Sequence, residues 1–507
     1  MTASPRPATV AALVQAQVLA RPDATYFLAT ETGRTLTFRE LDVSNRRVAA
    51  LVARRAGAPG AHVSLVMPNG LATLRILLGA MAGGYSVNPV NLLSQPEQMR
   101  YVLDHSDCSL AFASPDWAPK VRELVRGIAR SIEVVEADPD AASLPGERPE
   151  DEVAPLAPVA PGALALLMYT SGTTGQPKGV MLTQANLAAN AHAISAEHRL
   201  GGADRVTAVL PLYHINAFAV TMLAPLAHGG SLAMPPRFSA GRFWEMVERS
   251  GCTWLNLVPT MVSYLLEGPV PPRAALERVR FCRTASAPLP PEHLRAFQEK
   301  FGIGVIETMG LTETVAPAFS NPWDPARRKV GSVGLPSGCE ARIVDADGAE
   351  LPDGTPGEIA IRGPQVTPGY YKDEAATAAA FFPGGWLRTG DVGMRDADGY
   401  FFVTGRIKEL IIKGGENIAP REIDEVLLRH PAVLDAASVG IPDRHYGQDI
   451  LACVIRRPER DCSEEELRAF CLEHLGRFKT PKTIRFVEQL PRGPSGKVQR
   501  LKLLEAG

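Results

Sequence analysis

The chain lacks an excess of charge of either sign. Its 507 residues carry 53 Lys and Arg against 55 Asp and Glu, which gives a formal net charge of −2. A nucleic-acid-binding face or a polybasic membrane surface usually brings a marked basic excess. The balance therefore gives no indication of a nucleic-acid partner.

Cysteine pairs suited to a metal or redox centre are also missing. The seven cysteines are scattered along the chain, and no two of them form a C-x-x-C pair. Many zinc sites and thioredoxin-like redox motifs begin with such a pair. We expect reduced thiols that serve mainly in packing.

No stretch of the sequence is long and apolar enough to cross a bilayer, which takes about 18 or more consecutive apolar residues. The N-terminal apolar stretch is interrupted by Gln15 and Gln17. This interruption predicts an amphipathic helix rather than the apolar region of a secretion signal. We expect a cytoplasmic protein without a membrane span.

The length of the chain favours at least two domains, and hydrophobic residues, at 45%, are sufficient for large cores. Short apolar runs such as "HVSLVM" alternate with helix-like segments such as "GLATLRILLGAMAGG". This alternation predicts β-α units and a mostly parallel sheet. Residues 137–162, rich in Pro, Ala and acidic residues, suggest a surface connection between two lobes of a large domain.

The pattern changes in the last third of the chain. From about residue 340, short alternating segments predict a β-rich subdomain of antiparallel hairpins, and the segment after Gly405 predicts a separate α+β domain. The predicted fold is therefore α/β. A large N-terminal domain, residues 1–405, would contain layered α/β lobes and the β-rich subdomain, and a small α+β domain would follow at 406–507.

The most informative segment is "YTSGTTGQPKGV", residues 169–180, which follows the apolar run "ALALLM". It is not a Walker A loop, because Pro177 occupies the position before the lysine and has no amide hydrogen to donate. Glycines allow close approach of the backbone, hydroxyl groups donate hydrogen bonds, and lysine supplies charge. We therefore predict an extended phosphate-binding loop that contains Ser171, Gly172, Thr173, Thr174, Gly175 and Lys178.

Five further motifs occur later in the chain. They are "PLYHINA" at 211–217, "ETMGLTE" at 307–313, "RTGD" at 388–391, "GRIKELIIKGGENIAP" at 405–420 and "PRGPSGKVQR" at 491–500. With these motifs, most of residues 165–502 resembles the superfamily of acyl- and aryl-CoA synthetases, luciferases and peptide-synthetase adenylation domains. The resemblance implies two steps: a carboxylate attacks the α-phosphate of ATP to give acyl-AMP and pyrophosphate, and a thiol then displaces AMP.

The resemblance implies ATP, Mg²⁺ and coenzyme A as cofactors. Lys497 would bridge the carboxylate and the α-phosphate, and Glu313 would bind Mg²⁺, with Thr312 beside the phosphates. One carboxylate is sufficient, because Mg²⁺ takes further ligands from phosphate oxygens. The catalytic residues implied in this way are Thr170, His214, Glu313 and Lys497.

The nucleotide site departs from the family pattern at one position. Met309 stands where the family usually has a tyrosine that stacks on adenine, and a thioether cannot form a flat aromatic stack. Asp391 would accept hydrogen bonds from the ribose hydroxyls, with Arg406 assisting from the domain junction. The other implied nucleotide contacts are Ser286, Ala287, Pro288, Thr308, Gly310 and Thr312.

Two more positions follow from the resemblance. His214 matches a position that lines the acyl pocket and closes it from the thiol tunnel. Lys408 matches the hinge of a mobile C-terminal domain. Rotation there would replace Lys497 with the thiol-binding segment, which contains Lys413, Gly414 and Gly415.

The acid, the acceptor and the oligomeric state stay open. The 507 residues include no carrier-domain segment, which favours free CoA over a carrier-protein phosphopantetheine. A protein that kept the fold and lost adenylation is a third alternative. "PLYHINAFAV" has no carboxylate to hold an amino-acid ammonium, whereas alkanoic, aryl and dicarboxylic acids are all candidates. Arg283 either pairs with a second substrate carboxylate or anchors a loop.

Overall fold

The computed structural model describes residues 6–153, 155–170, 176–458, 460–492 and 498–505. The helices are α1 Val10–Ala20, α2 Phe38–Ala56, α3 Leu71–Ala82, α4 Pro96–His105, α5 Ala118–Arg126, α6 Gln184–Glu197, α7 Ala224–His228, α8 Phe243–Ser250, α9 Pro259–Glu267, α10 Arg273–Leu276, α11 Pro291–Phe301, α12 Glu374–Ala379, α13 Pro420–Arg429 and α14 Glu464–Lys479. The strands are β1 Thr25–Ala29, β2 Thr35–Thr37, β3 His62–Val66, β4 Ser86–Pro89, β5 Leu110–Ala113, β6 Glu133–Glu136, β7 Leu164–Thr170, β8 Lys178–Thr183, β9 Arg205–Thr207, β10 Ser231–Met234, β11 Trp254–Leu257, β12 Phe281–Thr284, β13 Val305–Leu311, β14 Ala316–Ser320, β15 Leu335–Pro336, β16 Glu340–Val344, β17 Gly357–Arg362, β18 Gly369–Tyr370, β19 Phe381–Phe382, β20 Trp386–Arg395, β21 Phe401–Arg406, β22 Ile411–Lys413, β23 Glu416–Ile418, β24 Val433–Asp443, β25 Gly447–Arg456 and β26 Thr483–Phe486.

Two sheets form most of the N-terminal part of the chain. Within the described residues, one has seven strands in the order β18-β8-β7-β4-β3-β5-β6, and the other has nine in the order β15-β14-β13-β12-β11-β9-β10-β1-β2. Neighbours run parallel from β7 to β6 in the first sheet and from β13 to β1 in the second. The prediction of mostly parallel sheets is confirmed.

Helix α3 lies in the interior. Every residue from Leu71 to Ala82 is buried, and the helix contacts α2 and β4. A helix that is apolar on all sides is stable only when other elements cover it completely. The almost entirely apolar sequence of α3 therefore explains why this helix lies in the core.

The segment between β6 and β7 joins two strands of the same sheet. The prediction that residues 137–162 connect two lobes is therefore wrong. The segment is also tied to the core, because Arg75 on α3 pairs with Glu147, and both side chains are only 4% exposed. Arg75 donates a further hydrogen bond, 2.6 Å long, to the carbonyl of Ala142. The composition indicated exposure, but it did not reveal this buried ion pair.

The last third of the chain has the predicted β-rich character. Among the described residues, an antiparallel sheet has the order β16-β17-β20-β19, with β21 beside β20. The strands after it form a separate sheet, β23-β22-β25-β24 with β26. Helix α13 packs on β24 of that sheet and α14 packs on β26, around a hydrophobic core of their own.

All seven cysteines are free thiols, and all except Cys339 are buried, as expected for packing residues. The N-terminal stretch forms a helix, α1, as predicted. Its predicted amphipathic character is wrong, because Gln17 lies on the buried face and donates to the carbonyl of Leu226. In the described part of the chain, no helix combines the length and the apolar character that crossing a bilayer requires.

Candidate active site

The predicted phosphate-binding loop connects an antiparallel hairpin. Strand β7 ends at Thr170 and β8 begins at Lys178, and these two residues face each other across the pair. The backbone pairing therefore holds the two ends of the loop together, at the end of a strand as predicted. Several predicted site residues lie outside the described residues, namely Ser171, Gly172, Thr173, Thr174, Gly175 and Lys497.

A tyrosine that sequence analysis did not single out lies between Lys178 and Glu313. Tyr370 belongs to β18, where it pairs with Val180 of β8. Its hydroxyl donates a 3.0 Å hydrogen bond to Oε1 of Glu313, and Nζ of Lys178 lies 5.0 Å from the centroid of its ring. Burial and the charge of Glu313 raise the pKa of this hydroxyl, so it stays protonated at neutral pH and donates.

Glu313 stands in a 3₁₀ turn, Thr312–Thr314, between β13 and β14. The Thr314 hydroxyl accepts a 3.0 Å hydrogen bond from the Leu311 amide and stabilises the turn. Val315 and Ala316 follow with φ of 56° and 71°. This conformation is strained for residues other than glycine, and such strain tends to be retained at functional sites.

The carboxylate of Glu313 suits Mg²⁺ in the presence of a nucleotide. Oε1 accepts from Tyr370, whereas Oε2 makes no hydrogen bond in the described part of the chain. Mg²⁺ commonly uses one or two protein carboxylates and completes its shell with phosphate oxygens and water. Within the described residues, no cluster of three or more His, Cys, Asp or Glu side chains is arranged to hold a metal ion. We therefore consider one protein carboxylate, that of Glu313, as the ligand for Mg²⁺.

The first group of predicted adenine contacts lies on β13. Met309 pairs with Phe319 of β14 and packs against the apolar cluster that includes Phe319 and Phe401. A Cβ atom on Gly310 would come within 1.9 Å of the carbonyl oxygen of Ala316, so only glycine fits there. Met309 thus has apolar packing contacts in the protein, and its contact with adenine stays a prediction.

The second group of predicted adenine contacts follows β12. Thr308 donates its hydroxyl to the carbonyl of Thr284 at 3.1 Å, which joins β13 to the end of β12. Ser286 then has a φ of 76°, an unusual value for a residue other than glycine. Ala287 and Pro288 come directly after it. The two groups of candidates are therefore neighbours in the fold.

The two predicted ribose contacts form an ion pair. Asp391 and Arg406 face each other across β20 and β21, and Nε of Arg406 lies 2.7 Å from Oδ1 of Asp391. Asp391 is buried. Because a charge-assisted contact of this kind restrains both side chains, the carboxylate is held in one orientation.

A buried polar network surrounds Arg283 on β12. The side chain is 1% exposed, and its Nη1 donates to Oδ1 of Asn216 at 2.8 Å and to Oδ1 of Asn256 at 2.7 Å. Asn216 in turn donates to the hydroxyl of Ser286 at 3.2 Å. Arg283 has no carboxylate partner among the described residues, and its Nε is buried without a hydrogen bond. Burial lowers the pKa of this guanidinium to about 9.

His214 precedes a buried π-helix, Asn216–Leu223. The carbonyl of His214 accepts a 3.0 Å hydrogen bond from the amide of Phe218, and its ring lies 4.8 Å from that of Tyr213. π-helical turns are rare and frequently occur at functional sites. His214 is thus two residues from Asn216, the first residue of the π-helix and a member of the Arg283 network.

The predicted thiol-binding segment lies at the hairpin of β22 and β23. Lys413 is 6% exposed, and its Nζ lies 2.6 Å from Oδ1 of Asp449, so its charge is already paired within the C-terminal sheet. Gly414 and Gly415 have left-handed φ values of 56° and 87°, and the Cβ position of Gly415 meets nothing within 4 Å. Their contact with CoA stays a prediction.

The fold, with two large α/β sheets followed by a separate C-terminal sheet, is that of an adenylate-forming enzyme. Residues 14–371 match the AMP-binding enzyme family, and residues 422–497 match the AMP-binding enzyme C-terminal domain. The chain therefore belongs to the AMP-binding enzyme family.

Two relatives align over nearly their whole length. Sulfoacetate–CoA ligase from Cupriavidus necator is 57% identical over 497 residues, which cover 98% of this chain and 97% of that protein. Oxalate–CoA ligase from Arabidopsis thaliana is 36% identical over 90% of this chain and 91% of that protein. Among solved structures, ATP-bound MatB from Rhodopseudomonas palustris gives a TM-score of 0.89 at 29% identity and covers 99% of both chains.

The protein is accordingly an AMP-forming acid–thiol ligase. It activates a carboxylic acid with ATP to acyl-AMP, releases pyrophosphate, and transfers the acyl group to coenzyme A. ATP, Mg²⁺ and CoA are its cofactors and co-substrates.

Proposed function

We propose that the acid is a short carboxylate with a second anionic group, and that sulfoacetate is the substrate. The relative from Cupriavidus necator is named for sulfoacetate, and the relative from Arabidopsis thaliana is named for oxalate, a small dianion. In this chain, the observation that carries the proposal is the buried guanidinium of Arg283, which has hydrogen bonds to two neutral asparagines but no anionic partner among the described residues.

The edge of Arg283 that makes no hydrogen bond in the described part of the chain has the donor geometry for an anion with two oxygens. The asparagine oxygens accept from Nη1, whereas Nε and Nη2 make no hydrogen bond in the described part of the chain. In a planar guanidinium, the Nε and Nη2 hydrogens on this edge point the same way and donate in parallel to a carboxylate or sulfonate. Burying a charge without a partner costs several kcal/mol. A second anion on the substrate would supply the missing counter-charge.

The same network disfavours acids that end in an apolar group. An alkyl or aryl tail beside Arg283, Asn216 and Ser286 would cover polar groups without giving them hydrogen bonds, which costs free energy. Arg75, which ties the segment between β6 and β7 to the core, pairs with Glu147, whereas Arg283 has no carboxylate partner among the described residues. The network therefore favours the substrate role over the anchoring role.

In the first half-reaction, a carboxylate oxygen of the acid attacks the α-phosphorus of ATP, the bond to the bridging oxygen breaks, and pyrophosphate leaves. We assign Lys178 and residues 171–175 to the phosphates, Glu313 to Mg²⁺, and Lys497 to the α-phosphate and the acid. Catalysis of this type of displacement rests mainly on positioning and charge. Mg²⁺ held by Glu313 would neutralise part of the phosphate charge.

In the second half-reaction, the CoA sulfur attacks the acyl carbon and AMP leaves. We propose that the domains comprise residues 1–405 and 406–507 and that they rotate at Lys408 between the two steps. Before this residue, Arg406 is paired with Asp391, which we assign to the ribose. After it, Glu409 lies 3.4 Å from Arg500 of the second domain. Lys408 itself is exposed, in a turn between the two ion pairs, which supports a hinge there.

A panel of acids tests the substrate assignment. Sulfoacetate, malonate, oxalate, acetate and benzoate are compared by pyrophosphate release with ATP. We expect kcat/KM for sulfoacetate to exceed that for acetate by at least about 100-fold, because a charge-assisted bidentate pair contributes about 3 kcal/mol. Equal values for the two acids, or a preference for benzoate, would contradict the proposal.

The acceptor and the compartment are tested separately. CoA and a carrier-protein phosphopantetheine are offered in turn to enzyme that holds acyl-AMP. We expect AMP release when CoA is the acceptor and none when the carrier protein is.

We also propose a cytoplasmic location, supported by seven free cysteines, because disulfides form and persist in oxidising compartments. Localisation of a tagged chain in fractionated cells of its source would test this assignment.

A further inference from the structure

We propose that Tyr370 is a positioning residue that keeps the Lys178 cation and the Glu313 carboxylate apart, so that one remains available to ATP and the other to Mg²⁺. The inference rests on the roles proposed above for Lys178 and Glu313. Tyr370 acts through these two neighbours and has no contact with the reacting atoms in the proposal.

Backbone pairing on both sides fixes the position of Tyr370. Strand β18 lies at the edge of the seven-stranded sheet, beside β8. The amide of Tyr371 donates to the carbonyl of Gly179 at 2.8 Å, and the amide of Thr367 donates to the carbonyl of Glu313 at 2.7 Å. The ring is therefore held between the first residues of β8 and the turn that carries Glu313.

The ring separates two opposite charges. Lys178 lies over its face, 5.0 Å from the centroid, where an aromatic ring attracts a cation. Glu313 accepts from the hydroxyl at the end of the same ring. Lys178 and Glu313 form no ion pair with each other. Such a pair would neutralise the charges that we assign to the phosphates and to the metal ion.

The hydroxyl also orients the carboxylate. Its hydrogen bond to Oε1 restrains Glu313 and leaves Oε2 without a hydrogen bond among the described residues. Carboxylates that bind metal ions are commonly held by a hydrogen bond of this kind, and its loss typically weakens metal binding 10- to 100-fold. Tyr370 therefore has two separable effects: its hydroxyl acts on metal binding, and its ring acts on the spacing of the charges.

Two variants separate these effects. Binding of α,β-methylene-ATP, which the enzyme cannot cleave, is measured by calorimetry in the absence of acid and at increasing Mg²⁺ concentrations. Tyr370→Phe should raise the Mg²⁺ concentration for half-maximal binding about tenfold, with affinity in the absence of Mg²⁺ within about twofold of wild type. Tyr370→Leu removes the ring as well, so Lys178 and Glu313 are able to pair, and affinity should also fall without Mg²⁺.

Tyr371→Phe is the matched control. Its hydroxyl donates to Asp107 at 2.8 Å rather than to Glu313, so this variant should bind Mg²⁺ and the nucleotide analogue like wild type. Thermal unfolding of each variant identifies any loss of fold, and Tyr370→Phe, which keeps the ring, should remain folded. If Tyr370→Phe responds to Mg²⁺ as Tyr371→Phe does, the positioning role is refuted.

Glu313→Gln distinguishes failure of the inference from failure of the proposed function. This variant should itself raise the Mg²⁺ requirement, and adding Tyr370→Phe should have no further effect, because both changes remove one interaction. If Glu313→Gln responds and Tyr370→Phe does not, only the positioning role is wrong. If Glu313→Gln does not respond, the assignment of Glu313 to Mg²⁺ is wrong, and the positioning role is refuted with it.

Discussion

Replacing Arg283 by methionine is expected to change the choice of acid and to leave the fold intact. Methionine keeps a long apolar side chain but cannot donate to an anion. If the Nε–Nη2 edge binds the sulfonate, its loss costs about 3–4 kcal/mol, or roughly 150- to 900-fold in kcat/KM for sulfoacetate. Acetate has no second anion, so its kcat/KM should stay within about threefold.

Two opposing effects determine the stability of this variant. The substitution removes a buried cation whose pKa burial lowers to about 9, and removing that cation stabilises the fold. It also removes the donor to Asn216 and Asn256, and an unsatisfied buried oxygen costs about 1–3 kcal/mol. We expect the free energy of unfolding to change by less than about 2 kcal/mol, whereas removing one partner of a buried ion pair costs about 3–5 kcal/mol.

The change in acid preference and the change in stability are measured separately. Single-turnover pyrophosphate release with sulfoacetate and with acetate gives the acid preference, and urea unfolding gives the stability. Arg280→Met is the control: Arg280 is paired with Asp204, so its loss should lower stability without changing the ratio between the acids. Equal loss with both acids, together with destabilisation by about 3 kcal/mol or more, would show that Arg283 is an anchor and binds no substrate.

Three other substitutions test separate parts of the enzyme. Lys408→Pro should preserve pyrophosphate release and abolish thioester formation, because proline fixes φ near −65° where the rotation requires a change; parallel loss of both half-reactions in single-turnover assays would contradict the hinge. Met309→Tyr should lower the KM for ATP by up to about tenfold, since a stacked ring contributes on the order of 1 kcal/mol; a higher KM would mean that the site has no room for the ring. Burial raises the pKa of Glu307 to about 7 from 4.5, with Arg421 and Glu425 nearby. The stability that protonated Glu307 contributes is therefore present below about pH 4.5 and lost as the pH rises through about 7. Glu307→Gln should reduce the fall in the thermal unfolding midpoint over this range, and an unchanged pH profile would exclude this titration.

The position of the predicted phosphate-binding loop, directly after a strand, was predictable because its signal is local. Glycines, hydroxyl groups and one lysine after an apolar run indicate a loop at the end of a strand. The structure has β7 ending at Thr170 and β8 beginning at Lys178. Exclusion of a Walker A loop likewise depended only on Pro177, whose ring and missing amide hydrogen are properties of one residue.

The residues that contact Glu313 and Arg283 from distant parts of the sequence gave no such signal. Tyr370 is 57 residues from Glu313, and Asn216 is 67 residues from Arg283. Strand pairing and the π-helix bring these pairs together, and neither depends on a short sequence pattern. The error over residues 137–162 has the same origin, because composition indicates exposure but not that β6 and β7 share a sheet.

The π-helix over Asn216–Leu223 makes the surroundings of Arg283 sensitive to chain length as well as to side-chain identity. Its hydrogen bonds span five residues, as between the amide of Ala224 and the carbonyl of Ala219, one more than in an α-helix. Deleting one residue there would allow α-helical hydrogen bonds to form and would redirect the side chains of the residues in that segment, Asn216 among them. Asn216 would then no longer face Arg283. If Arg283 binds the acid as we propose, a single deletion or insertion in this segment would change the acid that is accepted while the proposed nucleotide contacts keep their residues.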